Sequence, residues 1–350
     1  MTTTVGILGG GQLGRMLALA GVPLGVRCVV VEPAPDPPAA VATEVICAAY
    51  DDAAALAELA RRCDVVTVEL EHVPVAGLDW LASRVPVRPS PAAVAVTQDR
   101  RSEKEALGAA GIPTAPWASP PRPFPHGTVV KRRLGGFDGR GQVVLAPGVG
   151  VCGVLDGLCI SEEVVAFARE LSIVAARGLD GSVACYPLVE NRHADGILRT
   201  TIAPAPGLVP GRQAQAERIA VAVMERLDYV GVLAVELFET DAGLVANEVA
   251  PRVHNSGHWT IEGAATSQFE QHLRAVCGWA LGSPEQREPV AMVNLIGTVP
   301  DVGTMLAVPG AHVHLYGKDA RPARKLGHVT VGLDRLAEIE AVIATASPAP

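Results

Sequence analysis

The densest chemistry in the sequence lies between Val129 and Leu145. Two β-branched runs flank a loop holding four glycines, with Lys131 at the end of the entering strand and Arg132, Arg133 and Arg140 set against one acid, Asp138. Glycines let the backbone curl so that several N–H groups face one anion, and a Lys adds a point charge. The stretch reads as a strand, loop and strand that close over nucleotide phosphates; a basic surface hairpin is the other reading. A second cluster is an apolar hairpin made by Gly231–Phe238, a turn at Thr240–Gly243, and Leu244–Val249. It sets Glu236 nearly opposite Asn247 and Glu248. Buried carboxylates so placed repel unless a cation sits between them, and such oxygen ligands suit Mg2+. The alternative is an exposed pair of sheet carboxylates, and a one-residue slip would turn one acid to the other face. A polar loop, Ala250 to Trp259 (APRVHNSGHW), follows directly.

The elements that must position these groups follow from periodicity and breakers. Val5–Leu8 is a buried strand running into Gly9-Gly10-Gly11-Gln12-Leu13-Gly14 and a helix that stops at Gly21. A second strand, Cys28–Val31, ends in Glu32. This fits the dinucleotide fingerprint, but by itself supports only a βαβ unit whose helix N-terminus can hold an anion. The strand after the next helix ends in Glu69, Glu71 and His72, where open α/β sheets bind ligands. Pro86–Pro91 closes this unit. A helix over Arg100–Ala110, a proline-dense linker to Gly127, further sheet through Leu188, and a helix over Arg212–Asp228 follow. Gly263–Gly282 reads mostly as helix, and Met292 opens a small last unit with a second basic cluster.

Bulk properties narrow the function classes. The chain has 350 residues, 49% hydrophobic and 19% charged, enough for two or three packed domains. Aromatics make up 4% and the net charge is −8, which argues against nucleic-acid binding and favours a small anionic substrate at local basic clusters. The seven cysteines are scattered without a C-x-x-C pair, as in a reduced, cytoplasmic protein, and form no zinc site. No basic leader precedes the first strand and no apolar run is long enough to span a membrane.

Eight segments together resemble the ATP-grasp superfamily and, within it, the bacterial N5-carboxyaminoimidazole ribonucleotide synthetases of purine biosynthesis: GGGQLGRM (9–16), VELEHV (68–73), PTAPW (113–117), VKRRLGGFDGRGQ (130–142), YPLVEN (186–191), GILRT (196–200), NEVAPRVHNSGHW (247–259) and YGKDARPARKLGH (316–328). They occur in the family's order over nearly the whole chain. The resemblance implies an α/β and α+β fold: a Rossmann-like pre-ATP-grasp βαβ domain (1–95), an ATP-grasp domain (96–284, with a phosphate-lid subdomain at about 125–190) and a small C-terminal domain (285–350). It implies a ligase that carboxylates aminoimidazole ribonucleotide with bicarbonate at the expense of ATP, through carboxyphosphate. Its cofactors would be ATP and Mg2+, with Mn2+ as a substitute. The enzyme would be a cytoplasmic homodimer with no nucleic-acid or membrane partner.

By the same resemblance Arg100 and Lys131 contact ATP phosphates, and Gly136, Phe137, Asp138, Gly139, Arg140, Gly141 and Gln142 form the lid. Glu162, Glu163, Val164 and Val165 line the adenine, Glu170 takes the ribose hydroxyls, and His193 is a further nucleotide contact. Glu236 and Glu248 hold the metal beside Asn247. The first glycine loop is reused for the ribonucleotide through Gly11, Gln12 and Leu13, with Glu69 and His72 at the next strand end. Arg252, His254 and Asn255, with Lys131, are the expected catalytic set. Lys318, Arg324 and Lys325 supply charge for the ribose 5′-phosphate.

Three positions depart from the family pattern: Ala323 where glycine is usual, Leu134 before the lid glycines, and Ala168 before Arg169-Glu170. The first bears on a local turn and the second on lid mobility. A sister ATP-grasp ligase, such as a formate-dependent glycinamide ribonucleotide transformylase or a biotin carboxylase, would share the nucleotide site but not segments 252–259 and 318–328. A nicotinamide-dependent oxidoreductase would rest on Gly9–Gly14 alone, and a fingerprint does not carry function. A non-catalytic nucleotide-binding regulator would have no need of Lys131, Glu236 and Glu248.

Overall fold

The computed structural model describes residues 2–136 and 139–346. Phe137 and Asp138, expected in the lid, lie outside the described residues. The chain opens with four parallel strands, β1 (Thr4–Leu8), β2 (Arg27–Glu32), β3 (Glu44–Cys47) and β4 (Val65–Val68), in the order β3-β2-β1-β4. Strands β1, β2 and β4 are rich in Val, Ile and Leu and, apart from their end residues, buried on both faces, as parallel sheets require. The order reverses between β1 and β4, so the loops after these two strands splay apart and leave a crevice at their carboxyl ends.

The middle of the chain builds two antiparallel sheets. A small one holds β5 (Trp117–Ala118), β6 (Thr128–Arg132), β7 (Gln142–Leu145) and β8 (Cys159–Glu163) in the order β5-β8-β6-β7. The glycine loop is the β6–β7 connection, with Lys131 paired to Gln142 across its base. The large sheet takes in β9 (Arg169–Arg177), β10 (Val183–Cys185), β11 (Val189–Ala194), β12 (Ile197–Ala203), β13 (Gly231–Thr240) and β14 (Gly243–Ala250). It continues through β15 (Val290–Ile296), β16 (His312–Leu315) and β17 (Lys325–Gly332), in the order β14-β13-β9-β11-β12-β15-β17-β16 with β10 on β9. The last unit has its own core around Leu295, Met305 and Ile339, yet β15 hydrogen-bonds to β12, so its strands belong to the same sheet as the hairpin.

Two helices join the units. Leu13, Leu17 and Ala18 on helix Gln12–Gly21 and Phe269, Leu273 and Val276 on helix Gln268–Cys277 share one core with Val174, Val232 and Trp259. Within that interface the buried His272 ring lies 2.8 Å from Thr67 Oγ1 on β4 and accepts the Val232 N–H at 3.0 Å. The helix read over Gly263–Gly282 is confined to Gln268–Cys277 and a single turn, Thr260–Gly263; Ser267 caps the longer one by accepting the Glu270 N–H. No helix among the described residues is long and apolar enough to cross a membrane.

Candidate active site

A cleft of about 620 Å³ lies where the parallel sheet, the small lid sheet and the large sheet meet. Nearly all the site residues expected from sequence line it. Gly11, Gly141, Lys318 and Arg324 do not.

The acid hairpin explains itself by register. Glu236 on β13 pairs directly with Glu248 on β14, but Leu237 pairs with Ala246, so Asn247 is an extra residue in a β-bulge. Side chains alternate along a regular strand; the bulge re-aims them, and both Asn247 and Glu248 reach the cleft. Burial and the facing Glu248 charge raise the Glu236 carboxyl above the ordinary range. Burial would raise Glu248 too, but Arg100, whose Nη1 donates to Glu248 Oε2 at 2.6 Å, holds it down. Among the described residues no group of three or more His, Cys, Asp or Glu is placed to hold a metal. Two facing carboxylates, one raised by the other, fit a hard divalent cation whose remaining ligands come from phosphate and water.

Basic groups converge on this pair. Arg100 also reaches the Gly136 carbonyl at 3.3 Å, tying hairpin to glycine loop. Lys131 is 5% exposed and donates to Glu162 Oε2 at 2.9 Å and Asn247 Oδ1 at 3.1 Å. The Glu162 carboxylate is therefore buried between lysines, with Lys104 Nζ 3.4 Å from its other oxygen. Glu163 turns the other way, to His126 at 2.7 Å. Val164 and Val165 line the cleft, as do Phe167 and Phe238, which stack at 4.5 Å. Glu170 on β9 pairs with His193 on β11; burial opposes charge on His193, but the Glu170 contact overrides it and raises the imidazole. Gly139, Arg140 and Gln142 face the cleft, whereas Gly141 packs behind Gly136.

At the other end the geometry corrects one expectation. Gly11 does not present its N–H to the cleft. Glu69 reaches back from the end of β4 and accepts the N–H groups of Gly11 at 2.7 Å and Gly14 at 2.6 Å. The helix N-terminus thus holds a carboxylate of the chain itself, and the glycines make room for it: a Cβ on Gly11 would sit 2.6 Å from Glu69 Oε1. Burial raises the Glu69 carboxyl, opposed by these two N–H groups. Gln12, Leu13 and His72 do line the cleft, and Lys318 Nζ donates to Gln12 Oε1 at its edge. Arg324 Nη1 donates to the Asp319 carbonyl at 3.2 Å, while Lys325 lines the cleft.

Arg252 binds both oxygens of Glu71, which joins the loop after the hairpin to the end of β4. Beside it His254 turns Nε2 to within 3.4 Å of Glu236 Oε1; burial, with the Arg252 charge adjacent, pushes this imidazole down to about 3. The Asn255 amide is buried, and neither its oxygen nor its nitrogen has a hydrogen-bond partner among the described residues. A buried amide without partners is costly unless something else satisfies it.

Sequence reasoning placed Glu71 at a ligand-binding strand end without a role, and did not name Lys104, Phe167 or Phe238 as site residues. Phe238 carried a usable signal, two residues beyond Glu236 and so on its face. Lys104 gave none, being one charge in a charged helix. Of the departures from pattern, Leu134, Ala168 and Ala323 are all exposed, and only Ala323 is strained, at φ 62°.

A parallel βαβ unit, a glycine-loop lid sheet and a carboxylate hairpin around a lysine-lined cleft define an ATP-grasp enzyme. The sequence matches the ribonucleotide synthetase preATP-grasp domain over residues 1–98, the ATP-grasp domain over 122–269 and the phosphoribosylaminoimidazole carboxylase C-terminal domain over 290–342. It is 46% identical to the N5-carboxyaminoimidazole ribonucleotide synthase of Pseudomonas aeruginosa, over 97% of this chain and 99% of that one. The crystal structure of the synthetase from Thermus thermophilus superposes with a TM-score of 0.89 at 45% identity, covering 99% of each chain. The Aspergillus clavatus enzyme in complex with ADP and 5-aminoimidazole ribonucleotide gives 0.86 at 31% identity, covering 98% of this chain and 97% of that one. The chain belongs to the N5-carboxyaminoimidazole ribonucleotide synthase family.

Proposed function

We infer that the chain carboxylates aminoimidazole ribonucleotide with bicarbonate, cleaving ATP to ADP and phosphate. The observation that carries this reading is one continuous cleft. It joins a lysine, arginine and carboxylate-hairpin end suited to a triphosphate to an end where Arg252, His254, Asn255 and Lys325 converge. A bicarbonate oxygen attacks the γ-phosphorus as the bond to ADP breaks, giving carboxyphosphate. The substrate amine then captures the carboxyl group from it, or from CO2 it releases, and phosphate leaves. The chain must hold two anions together, stabilise a phosphoryl group in transfer and exclude water from a labile anhydride.

In this reading Lys131 and Arg100 neutralise phosphate oxygens, leaving Glu162 and Glu248 as they do so. The stacked Phe167 and Phe238 with Val164 and Val165 supply an apolar wall for the base, and Glu170 with His193 holds the ribose. Glu236 and Glu248, beside Asn247, would hold Mg2+, which supplies charge neutralisation at the phosphates. Gly136 to Gln142 closes over them. Arg252 and Asn255 offer donors to bicarbonate, the latter gaining the partners its amide lacks. Gln12, Leu13 and His72 flank the ribonucleotide, and Lys318 and Lys325 carry charge for its phosphate. The family resemblance extends the proposal to a cytoplasmic homodimer, which light scattering tests. The deciding experiment is ADP release from Mg-ATP with and without aminoimidazole ribonucleotide and bicarbonate. Dependence on both, with an acid-labile carbamate product, is expected. ATP binding without ribonucleotide dependence would overturn the substrate assignment, and glycinamide ribonucleotide with formate would be tried next.

A further inference from the structure

Behind His254 the cleft wall is polar and fully enclosed. His254 Nδ1 lies 2.9 Å from Ser256 Oγ, which lies 2.8 Å from Ser172 Oγ on β9. Ser172 Oγ is 2.8 Å from Asn191 Nδ2 on β11, and Asn191 Oδ1 is 2.9 Å from Thr201 Oγ1 on β12. Ser256, Ser172 and Thr201 are 0% exposed and Asn191 is 5% exposed.

Hydroxyl hydrogens rotate and amides flip, so most links in such a chain have no direction of their own. One end does. The Ser256 backbone N–H, its hydrogen fixed by the peptide plane, points at the same His254 Nδ1 from 3.3 Å. Nδ1 therefore accepts, and a proton there would face that N–H. The Ser256 hydroxyl is then free to donate only to Nδ1, while its oxygen takes the Ser172 hydroxyl. Ser172 oxygen takes the Asn191 N–H, and the Asn191 carbonyl takes the Thr201 hydroxyl. All links agree on one polarity. The proton of the imidazole is left on Nε2, the atom that faces Glu236 and the cleft.

The backbone under the ring is clamped as well. Gln268, itself buried, accepts the His254 N–H at 2.9 Å and donates to the His254 carbonyl at 2.7 Å. Gly257 leaves space for that amide: a Cβ there would lie 2.5 Å from Gln268 Oε1.

We propose that Asn191, Ser172 and Ser256 are positioning residues that fix His254 as its Nε2–H tautomer, so that it serves the reaction as a hydrogen-bond donor to an anionic oxygen and not as a base. The catalytic meaning rests on the functional reading above. The tautomer does not, and is measured on substrate-free protein.

The test is two-bond 15N–1H correlation on histidine-labelled full-length protein near neutral pH, with the His254 signal assigned by its loss in His254→Gln. Nε2–H is expected in the wild type. Asn191→Asp replaces the donor in the relay by an acceptor, so the relay's polarity reverses against the Ser256 N–H and a fraction of the rings carries the proton on Nδ1. Ser172→Ala cuts the relay and leaves only the Ser256 N–H to hold Nδ1, so a smaller Nδ1–H fraction appears, while Ser172→Thr restores the hydroxyl and the single Nε2–H signal. A wild-type ring protonated on Nδ1 or on both nitrogens overturns the proposal. So does an Nε2–H signal unchanged in both Asn191→Asp and Ser172→Ala. In ribonucleotide-dependent ADP release, Ser172→Ala should lower kcat roughly tenfold, about the worth of one hydrogen bond, with the KM for ATP within about twofold. Wild-type protein without ribonucleotide-dependent turnover would sink the functional reading and leave the tautomer result standing.

Discussion

Ala323→Gly should make the protein more stable. Ala323 holds φ 62° in a turn closed by the Arg324 N–H to the Arg321 carbonyl at 3.1 Å. Its methyl is exposed, so no packing is lost with it. A Cβ in the left-handed region costs about 1–2 kcal/mol. Glycine removes that cost but gives the unfolded chain more freedom, worth about 0.4–1 kcal/mol. The balance is a gain of about 1 kcal/mol or slightly less. In a chain of this length that moves the thermal midpoint by about 2 °C or less, so the urea midpoint is the better readout. The turn leads into Arg324 and Lys325, so KM for the ribonucleotide is measured alongside, and KM for ATP should stay put. A loss of about 0.5 kcal/mol or more would show that the turn is not strained by its methyl, and the reasoning would fail.

Glu248→Ala should abolish ADP release with little change in fold, since the residue lines the cleft and carries a proposed metal contact; near-normal turnover would remove that assignment. Lys104→Met takes away the Nζ that donates to the Asn247 carbonyl at 2.8 Å and supports Glu162. Breaking a buried charge pair costs about 3 kcal/mol or more, so a urea-measured loss under about 1 kcal/mol would mean that Lys131 alone satisfies Glu162. Burial would raise the Glu71 carboxyl, but Arg252 overrides it and holds it at about 2, against an ordinary 4.5. A depressed carboxyl stabilises above its unfolded value and loses that contribution as pH falls through the folded one. Glu71→Gln should therefore lose roughly 3 kcal/mol near pH 7 relative to wild type, with the gap narrowing from about pH 4.5 toward pH 2. A gap independent of pH would refute the pairing.

The glycine loop and the acid hairpin were legible because both are local. β-Branched runs, turn residues and charges within a few tens of residues determine them. The approximate placement of Glu236 against Asn247 and Glu248 came from strand pairing, but the bulge did not, because an extra residue leaves no mark in an apolar pattern. Longer reaches were harder. Arg252 and Glu71 are 181 residues apart, and Lys104 meets Asn247 across 143. No periodicity encodes such contacts. The first glycine motif was misleading in an instructive way: its spacing reported a helix N-terminus correctly, and only the tertiary structure revealed that the anion there is Glu69. The C-terminal strands read as a separate unit because a loop precedes them, while their hydrogen bonds to β12 depend on edge pairing that sequence does not display.

The Glu69 contact also has a mechanical side. By gripping Gly11 and Gly14 from the end of β4, one carboxylate welds together the two loops that part at the reversal of strand order. His272 bolts the same sheet, through Thr67, to β13. Gln12, His72 and the hairpin acids are therefore mounted on one cross-braced anvil. Across the cleft, the small lid sheet is fastened to the helix that carries Arg100, because Arg133 pairs with Asp99 and its carbonyl accepts the Arg100 N–H at 3.0 Å.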